Sequence, residues 1–468
     1  MNGAGYALPE SFLRNMQELL GDEFCQFIDS YSKPSRRGLR LNRLKADANS
    51  IDLGIPLTPV PWCKEGFEYP TTARPGKSLL YGAGLFYIQE PSAMCPAAVL
   101  RPKPGEKVLD ICAAPGGKSV QLAGYLRGQG VLVSNDASPS RSRALVKNLE
   151  MAGVTNAIVL TEMPYRLATR FLEYFDTILV DAPCSGEGMF RRDPDAARAY
   201  TANKPEACVA LQKEILHHAA KMLKPGGRMV YSTCTFNPLE NEGVISSFLQ
   251  ARPEFELLPI DHEGLGISPG RSEWATVGVA NLNSTARIWP HLAPGEGHYV
   301  AKVRKQRAEE GRSQRLKATD NSSGKVYRNR KVDKAFTAFC EEMLKGIDFL
   351  GPIIRHGNSI YMQPEEIDLK GLRVARSGWL LGECAKDRFI PSQALAMGIT
   401  KNQARYTIEL AEPDVTRYLK GESLTPPEDY SAPGKPWVLI CYKGHPLGWA
   451  RLVQGRLKNQ LPNGWIMP

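Results

Sequence analysis

The sequence predicts an α/β protein: a parallel sheet covered by helices over residues 96–303, an α+β module before it over 1–95, and a mixed or mostly β region after it over 335–468. Three observations carry this prediction. Five short apolar runs alternate with helical segments through the middle of the chain, the pattern of strands that are buried on both faces. The first run empties into a turn rich in glycine and alanine, as the first strand of a doubly wound sheet does. The composition then breaks at 302–334, where twelve Lys or Arg stand against four Asp or Glu, before it becomes globular again.

In order along the chain, residues 9–20 (PESFLRNMQELL) have helical periodicity and 35–42 (SRRGLRLN) read as a basic strand. The apolar runs fall at 107–111, 130–135, 157–160, 177–180 and 228–232. Residues 304–334 read as a basic linker or mobile arm, with loop formers at 319–324 (TDNSSG). Beyond it, glycines and prolines punctuate short β-like runs such as 437–442 (WVLICY). No repeat of solenoid period is visible.

A chain of 468 residues exceeds what one hydrophobic core serves, so several domains are expected. A net charge of +10 favours a polyanionic partner, because each phosphate neutralised releases condensed counterions. Ten cysteines without a Cys-x-x-Cys pair argue against a zinc ribbon and a disulfide framework. With neither a secretory leader nor an apolar run of membrane length, the expectation is a reduced, soluble, cytoplasmic protein that needs no metal and no membrane.

The turn itself, 109–123 (LDICAAPGGKSVQLA), ends in the Gly-Lys-Ser of a phosphate-binding P-loop. A P-loop needs a glycine five residues before the Gly-Lys pair, however, and Cys112 stands there. Asp110, Ala113, Ala114, Pro115, Gly116 and Gly117 let the backbone approach a ligand, and the helix start behind them offers free N–H groups. Nineteen residues after Gly117 the second strand ends at Asp136, where an acidic residue takes the hydroxyls of a ribose. Without G-x-G-x-x-G a dinucleotide is disfavoured, whereas S-adenosylmethionine needs no pyrophosphate cradle.

Two cysteines fall just past carboxyl strand ends, Cys184 in 181–186 (DAPCSG) and Cys234 in 231–235 (YSTCT). C5 of a pyrimidine is a poor nucleophile until a thiolate adds to C6, so methylation at C5 requires one cysteine, and a second group nearby can assist release. Asp181, beside them, is suited to protonate or hydrogen-bond cytosine N3. Cys25, Cys95, Cys340 and Cys441 read as small core residues.

These stretches together resemble the Nop/Sun family of RNA cytosine-C5 methyltransferases, and within it the bacterial RsmF-like ribosomal RNA enzymes. The likeness is carried by 110–119, Asp136 with Arg141, 181–186 and 232–235, and more weakly by 89–92, 287–291 and 295–298. It implies a Rossmann-like S-adenosylmethionine methyltransferase core acting on small-subunit ribosomal RNA near the decoding region. It also implies that Cys234 is the nucleophile and Cys184 the helper in adduct breakdown; position alone does not order them, since DNA cytosine methyltransferases attack with a Pro-Cys cysteine like Cys184. The loop 112–118 (Cys112, Ala113, Ala114, Pro115, Gly116, Gly117, Lys118), Asp136, Arg141 and Asp181 would then meet the cofactor, with Lys118 near it or near the catalytic Asp181. Where family members place an Asp after the third strand for the adenine, this chain has Thr161, Glu162 and Met163, and Glu162 is the substitute. The carboxyl-terminal third resembles the RsmF extension with its PUA-like RNA-binding end, through 356–358, 386–389 and 447–449.

Two rivals from other classes are a P-loop hydrolase, which leaves both strand-end cysteines without a purpose, and a non-catalytic RNA-binding protein on a methyltransferase fold. The expected partner is ribosomal RNA or the small ribosomal subunit, with transfer RNA as an alternative substrate and a monomer as the working form. Arg36, Arg37 and Arg40 are candidates for RNA phosphates. Trp437, Tyr442 and Trp449 suit a small β core better than base stacking, and His217 and His218 suit a helix surface better than catalysis.

Overall fold

A computed structural model describes residues 8–46, 51–200, 205–279, 281–307, 333–385, 388–428, 430 and 437–467. Most of the expected linker, 308–332, lies outside the described residues, as do Lys386 and Asp387. Residues 304 and 305, read as the start of that linker, instead complete a strand of the main sheet.

The amino-terminal module begins with the helices Glu10–Leu20 and Phe24–Ser32. Phe12, Met16 and Leu20 recur every fourth residue and so share one buried face. Four antiparallel strands follow, β1 Gly38–Leu41, β2 Thr58–Val60, β3 Cys63–Glu68 and β4 Phe86–Ile88, in the order β2-β3-β1-β4. The helices do not pack on this sheet alone. Phe12 meets Phe190 edge-on at 5.0 Å and Phe27 meets Phe236 at 5.3 Å, so the module braces two loops of the next domain.

That domain is a twisted sheet built on the parallel strands β5 Lys107–Asp110, β6 Val131–Asn135, β7 Ala157–Leu160, β8 Phe175–Asp181 and β9 Leu223–Thr233. Their apolar runs exist because helices cover both faces, among them Gly117–Leu126, Pro139–Met151 and Pro205–Met222. From β5 the chain runs outward through β6 and β7, then returns to lay β8 and β9 on the other side. The strand order therefore reverses between β5 and β8, and a ligand crevice opens at their carboxyl ends. Beyond β9 the edge is antiparallel: β10 Phe255–Leu258, β11 Ser268–Pro269, β12 Ala286–Ile288 and β13 His298–Lys305, the last paired with β9.

The carboxyl-terminal region contributes β14 Ile353–His356, β15 Ser359–Met362, β16 Val374–Arg376, β17 Trp379–Ala385 and β18 Arg388–Pro391, then β19 Thr407–Glu409, β20 Trp437–Tyr442, β21 His445–Val453 and β22 Arg456–Asn459. They form two four-stranded sheets, β14-β15-β17-β18 and β19-β20-β21-β22. β16 is the exception: it pairs with β7 and extends the main sheet by one strand, while Ile367, Leu369 and Leu372 pack on the main core. Trp437, Tyr442 and Trp449 are buried. Cys95 and Cys441 are buried as expected of core residues, and Cys340 is half-buried, but Cys25 is exposed, because it lies off the face of its helix that Phe27 and Tyr31 bury.

Candidate active site

Asp110 and Asp181 end β5 and β8, the two strands that flank the crevice. Asp110 is fully buried; its Oδ2 accepts from Ser119 Oγ at 2.7 Å while Oδ1 has no partner, and burial pushes the carboxyl up to about 7. Ser119, the hydroxyl of the Gly-Lys-Ser run, is thus turned into the sheet and away from any phosphate. Lys118 is committed too: its Nζ lies 2.8 Å from Asp181 Oδ2. Burial works against both charges, but Lys118 holds Asp181 below its ordinary value and Asp181 holds Lys118 above its own. Ser232 Oγ donates to Asp181 Oδ1 at 2.7 Å.

The turn between β5 and its helix is held from two sides. Asp136 Oδ2 accepts from Ala114 N at 3.3 Å, and Arg141 Nη2 donates to Ala114 O at 2.7 Å and stands 3.5 Å from Asp136. Gly116 has φ +115°, which an L side chain rarely adopts, and a Cβ there would also crowd Leu145. From the amino-terminal module, Arg40 donates through Nη2 to Gly117 O at 2.7 Å and through Nε to Gln89 Oε1 at 3.1 Å. Arg40 is 2% exposed, so the expectation that it reaches RNA phosphates is corrected: burial on this side of β1 makes it a brace of the turn. Replacing Arg40 with alanine is expected to weaken cofactor binding roughly tenfold, the loss of one charge-assisted bond. Isothermal titration checks this, and unaltered affinity would show that the turn holds its shape without Arg40.

A cavity of about 250 Å³ opens beside the turn. Asp110, Cys112, Ala113, Ala114, Pro115, Gly117, Lys118 and Asp181 line one side, and Tyr87, Glu90, Arg192 and His298 are among those on the other. Asp136 and Arg141 stand behind Ala114, outside the lining. The small-residue wall and the partnerless Asp110 oxygen fit a polar cofactor seated against the backbone. Glu162 stands elsewhere: it is fully buried, accepts from Arg373 N at 2.7 Å and pairs with Arg166 at 3.3 Å. The segment that carries β16 has taken the carboxylate expected to meet adenine.

Cys184 and Cys234 come together because β8 and β9 are adjacent and parallel, with Asp181 opposite Ser232. Their Sγ atoms are 3.4 Å apart and both cysteines are free and half-buried. The hydrogen bond with Cys234, together with burial, pushes the Cys184 thiol well above its ordinary value. Two buried acids fasten the loops. Glu187 accepts from Thr235 Oγ1 at 2.8 Å and Phe236 N at 2.9 Å; Glu240 accepts from Ser185 N and Gln212 Nε2, each at 2.9 Å. Burial pushes Glu187 up to about 7. Gly188 leaves no room for a side chain, since a Cβ would lie 2.8 Å from Cys234 O.

Residues of the weaker family-like stretches 89–92 and 295–298, to which sequence reasoning assigned no role, also meet at the cavity. His298 Nδ1 is 3.0 Å from Ser92 Oγ, which donates to Glu90 Oε2 at 2.6 Å. Burial, reinforced by Lys118, pushes the imidazole down to about 4, so it is neutral here. His217 and His218 lie on the helix Pro205–Met222 and do not line the cavity. Among the described residues no cluster of side chains could hold a metal ion, and no helix is long and apolar enough to cross a membrane.

Comparison with known proteins matches four family models to the chain: 16S rRNA methyltransferase RsmB/F over 97–304, the N-terminal domain of 16S rRNA methyltransferase RsmF over 8–91, the RsmF first C-terminal domain over 338–399 and the RsmF PUA domain over 405–467. A ribosomal RNA small subunit methyltransferase F of Erwinia tasmaniensis is 32% identical over 97% of this chain and 96% of its own. One of Shewanella oneidensis is 33% identical over 94% and 93%. Among solved structures, a methyltransferase homologue from Pyrococcus horikoshii superposes with a TM-score of 0.55 at 33% identity, covering 64% of this chain and 96% of that one. NSun6 from the same organism shares the fold at 21% identity and a TM-score of 0.53, over 64% of this chain and 99% of that one. The chain therefore belongs to the 16S rRNA methyltransferase RsmB/F family, in its RsmF-like branch, and is an RNA methyltransferase that uses S-adenosylmethionine.

Proposed function

We propose that the chain methylates C5 of a cytosine in small-subunit ribosomal RNA through a covalent bond between Cys234 Sγ and cytosine C6. The observation that carries this is the 3.4 Å sulfur pair at the ends of β8 and β9, beside the Lys118–Asp181 pair. Bound S-adenosylmethionine supplies an electrophilic methyl group; residues 112–118, Asp181 and, behind the turn, Asp136 and Arg141 are the groups that hold it.

The chain's own part follows from charge. Two thiolates 3.4 Å apart repel, so the pair keeps one proton, and the family likeness, which makes Cys184 the helper, places that proton on Cys184. Cys234 is left as the nucleophile. As its sulfur bonds to C6, the π pair of the C5–C6 bond moves toward C4, charge grows at N3 and N3 takes a proton from solvent; ionised Asp181, kept so by Lys118, accepts the new N3–H bond, and N3 gives that proton up again when the ring is restored. Once Cys234 is a thioether its charge is gone, a Cys184 thiolate is no longer opposed, and Cys184 releases its proton to solvent. Cys184 then takes the C5 proton; the released electrons restore the C5–C6 double bond and expel Cys234 as thiolate.

On this reading, residues 1–95 and 335–468 grip RNA around the methyltransferase domain 96–303, and the enzyme works on ribosomal RNA or the small subunit as a cytoplasmic monomer. The test is incubation with tritiated S-adenosylmethionine and, in parallel, unmethylated small subunits, naked 16S rRNA or transfer RNA, followed by nucleoside analysis. Label in 5-methylcytidine from ribosomal substrate is expected. Label in another nucleoside, or only in transfer RNA, would overturn the reading.

A further inference from the structure

Four cations without a carboxylate partner among the described residues gather around one groove beside the catalytic cavity. The groove, of about 790 Å³, lies between the end of the helix Phe24–Ser32 and the end of β3. Lys33, Arg37 and Tyr69 line it. Arg74 and Arg192 stand close enough for their charges, with that of Arg37, to act on the Tyr69 phenol, which burial nonetheless pushes up. By contrast, Arg36 is paired with Glu68 at 3.2 Å, and Arg191 with Glu296. Besides Glu68, the one other carboxylate of the lining is Asp29.

Arg192 also lines the cavity that holds Lys118 and Asp181. Arg191, the residue before it, lines the groove, so the groove and the cavity adjoin at a cationic threshold with an aromatic ring on the groove side. Unpaired cations along a concave wall concentrate field and draw a polyanion. A half-buried aromatic ring beside them gives an unstacked base an edge or face to lie on. A target base that leaves its stack needs its neighbouring backbone held in this way.

We propose that this groove holds the single-stranded RNA segment flanking the target cytosine, with phosphates on Lys33, Arg37, Arg74 and Arg192 and a base against Tyr69. The proposal rests on the RNA methylation reading above, and it adds a path by which the strand leaves the active site toward the amino-terminal module.

The test uses the full chain, unmethylated 16S rRNA, and a triple variant Lys33→Ala, Arg37→Ala, Arg74→Ala, none of which touches the catalytic groups. Binding is read by filter retention across a salt series, and methylation by KM and kcat. The expected result is a KM for RNA raised roughly 10- to 100-fold and a log–log salt dependence shallower by about 2, for three phosphate contacts to a single strand. Cofactor affinity and kcat at saturating RNA stay near wild type. Tyr69→Ala weakens RNA binding roughly tenfold and Tyr69→Phe restores it. An unaltered KM and salt slope in the triple variant overturns the groove. Should that variant also lose cofactor binding, the exchange of Lys33→Arg, Arg37→Lys and Arg74→Lys decides: it must retain RNA affinity, while the Tyr69 pair must still differ. Formation of 5-methylcytidine with undiminished RNA affinity in the variants removes the groove alone. Loss of RNA affinity in the variants with no 5-methylcytidine from the wild type removes the methylation reading alone.

Discussion

Replacing Cys234 with alanine is expected to lower methyl transfer by ~10⁴-fold or more, the scale on which removal of a covalent nucleophile acts, while cofactor binding is kept. Cys184→Ala separates the two sulfurs. It leaves a nucleophile that can add but has no neighbour to take the C5 proton, so a protein–RNA adduct resistant to denaturation is expected to accumulate. Gel electrophoresis with labelled RNA reads it directly. Turnover in the Cys234 variant with adduct formed through Cys184 would reverse the two roles, and the absence of adduct in the Cys184 variant would remove its part in release. The assignment rests on the likeness to the RNA cytosine-C5 methyltransferases, because at 3.4 Å the two sulfurs stand in equivalent places and distance alone is symmetric.

The parallel strands were legible because burial on both faces leaves so few residue types: the runs at 107–111, 130–135 and 157–160 became β5, β6 and β7 within a residue or two. The turn was legible for the same kind of reason, small residues being required where backbone approaches a ligand. What the sequence did not disclose is pairing. β16 lies more than 200 residues from β7, and nothing in Val374–Arg376 marks it as a strand of the main sheet. That pairing carries Arg373 to Glu162, which is why the acid after the third strand is spent on structure. Arg40 was misread on similar grounds. All four residues of β1 are buried, so alternation gave no sign that its arginine faces Gly117. Glu187, Glu240 and His298 sat in view within motif-rich stretches, but their roles depend on burial and on partners some 50 to 200 residues away.

Asp181→Asn is expected to reduce kcat by roughly 10²- to 10³-fold, with a smaller effect on RNA affinity, because the ionised carboxylate accepts the N3–H bond that forms as sulfur adds to C6. Its pH signature distinguishes this from a role in folding. Lys118 holds Asp181 below the ordinary carboxylate range against the pull of burial. The carboxylate therefore stays ionised through the neutral range, and the acid limb it governs lies below the ordinary value. The stability that the pair contributes has the same sign: present above the unfolded pKa, it is lost as pH falls through the depressed folded one. Removing the ammonium with Lys118→Met leaves burial as the dominant influence on Asp181, so the acid limb of kcat is expected to move toward neutral pH. In Asp181→Asn that limb is expected to vanish. A pH–rate profile of the three proteins at saturating RNA decides the matter. A limb unmoved by loss of Lys118 would mean that another group governs it, and wild-type kcat in the asparagine variant would mean that another side chain of the cavity, such as neutral His298, meets the cytosine ring.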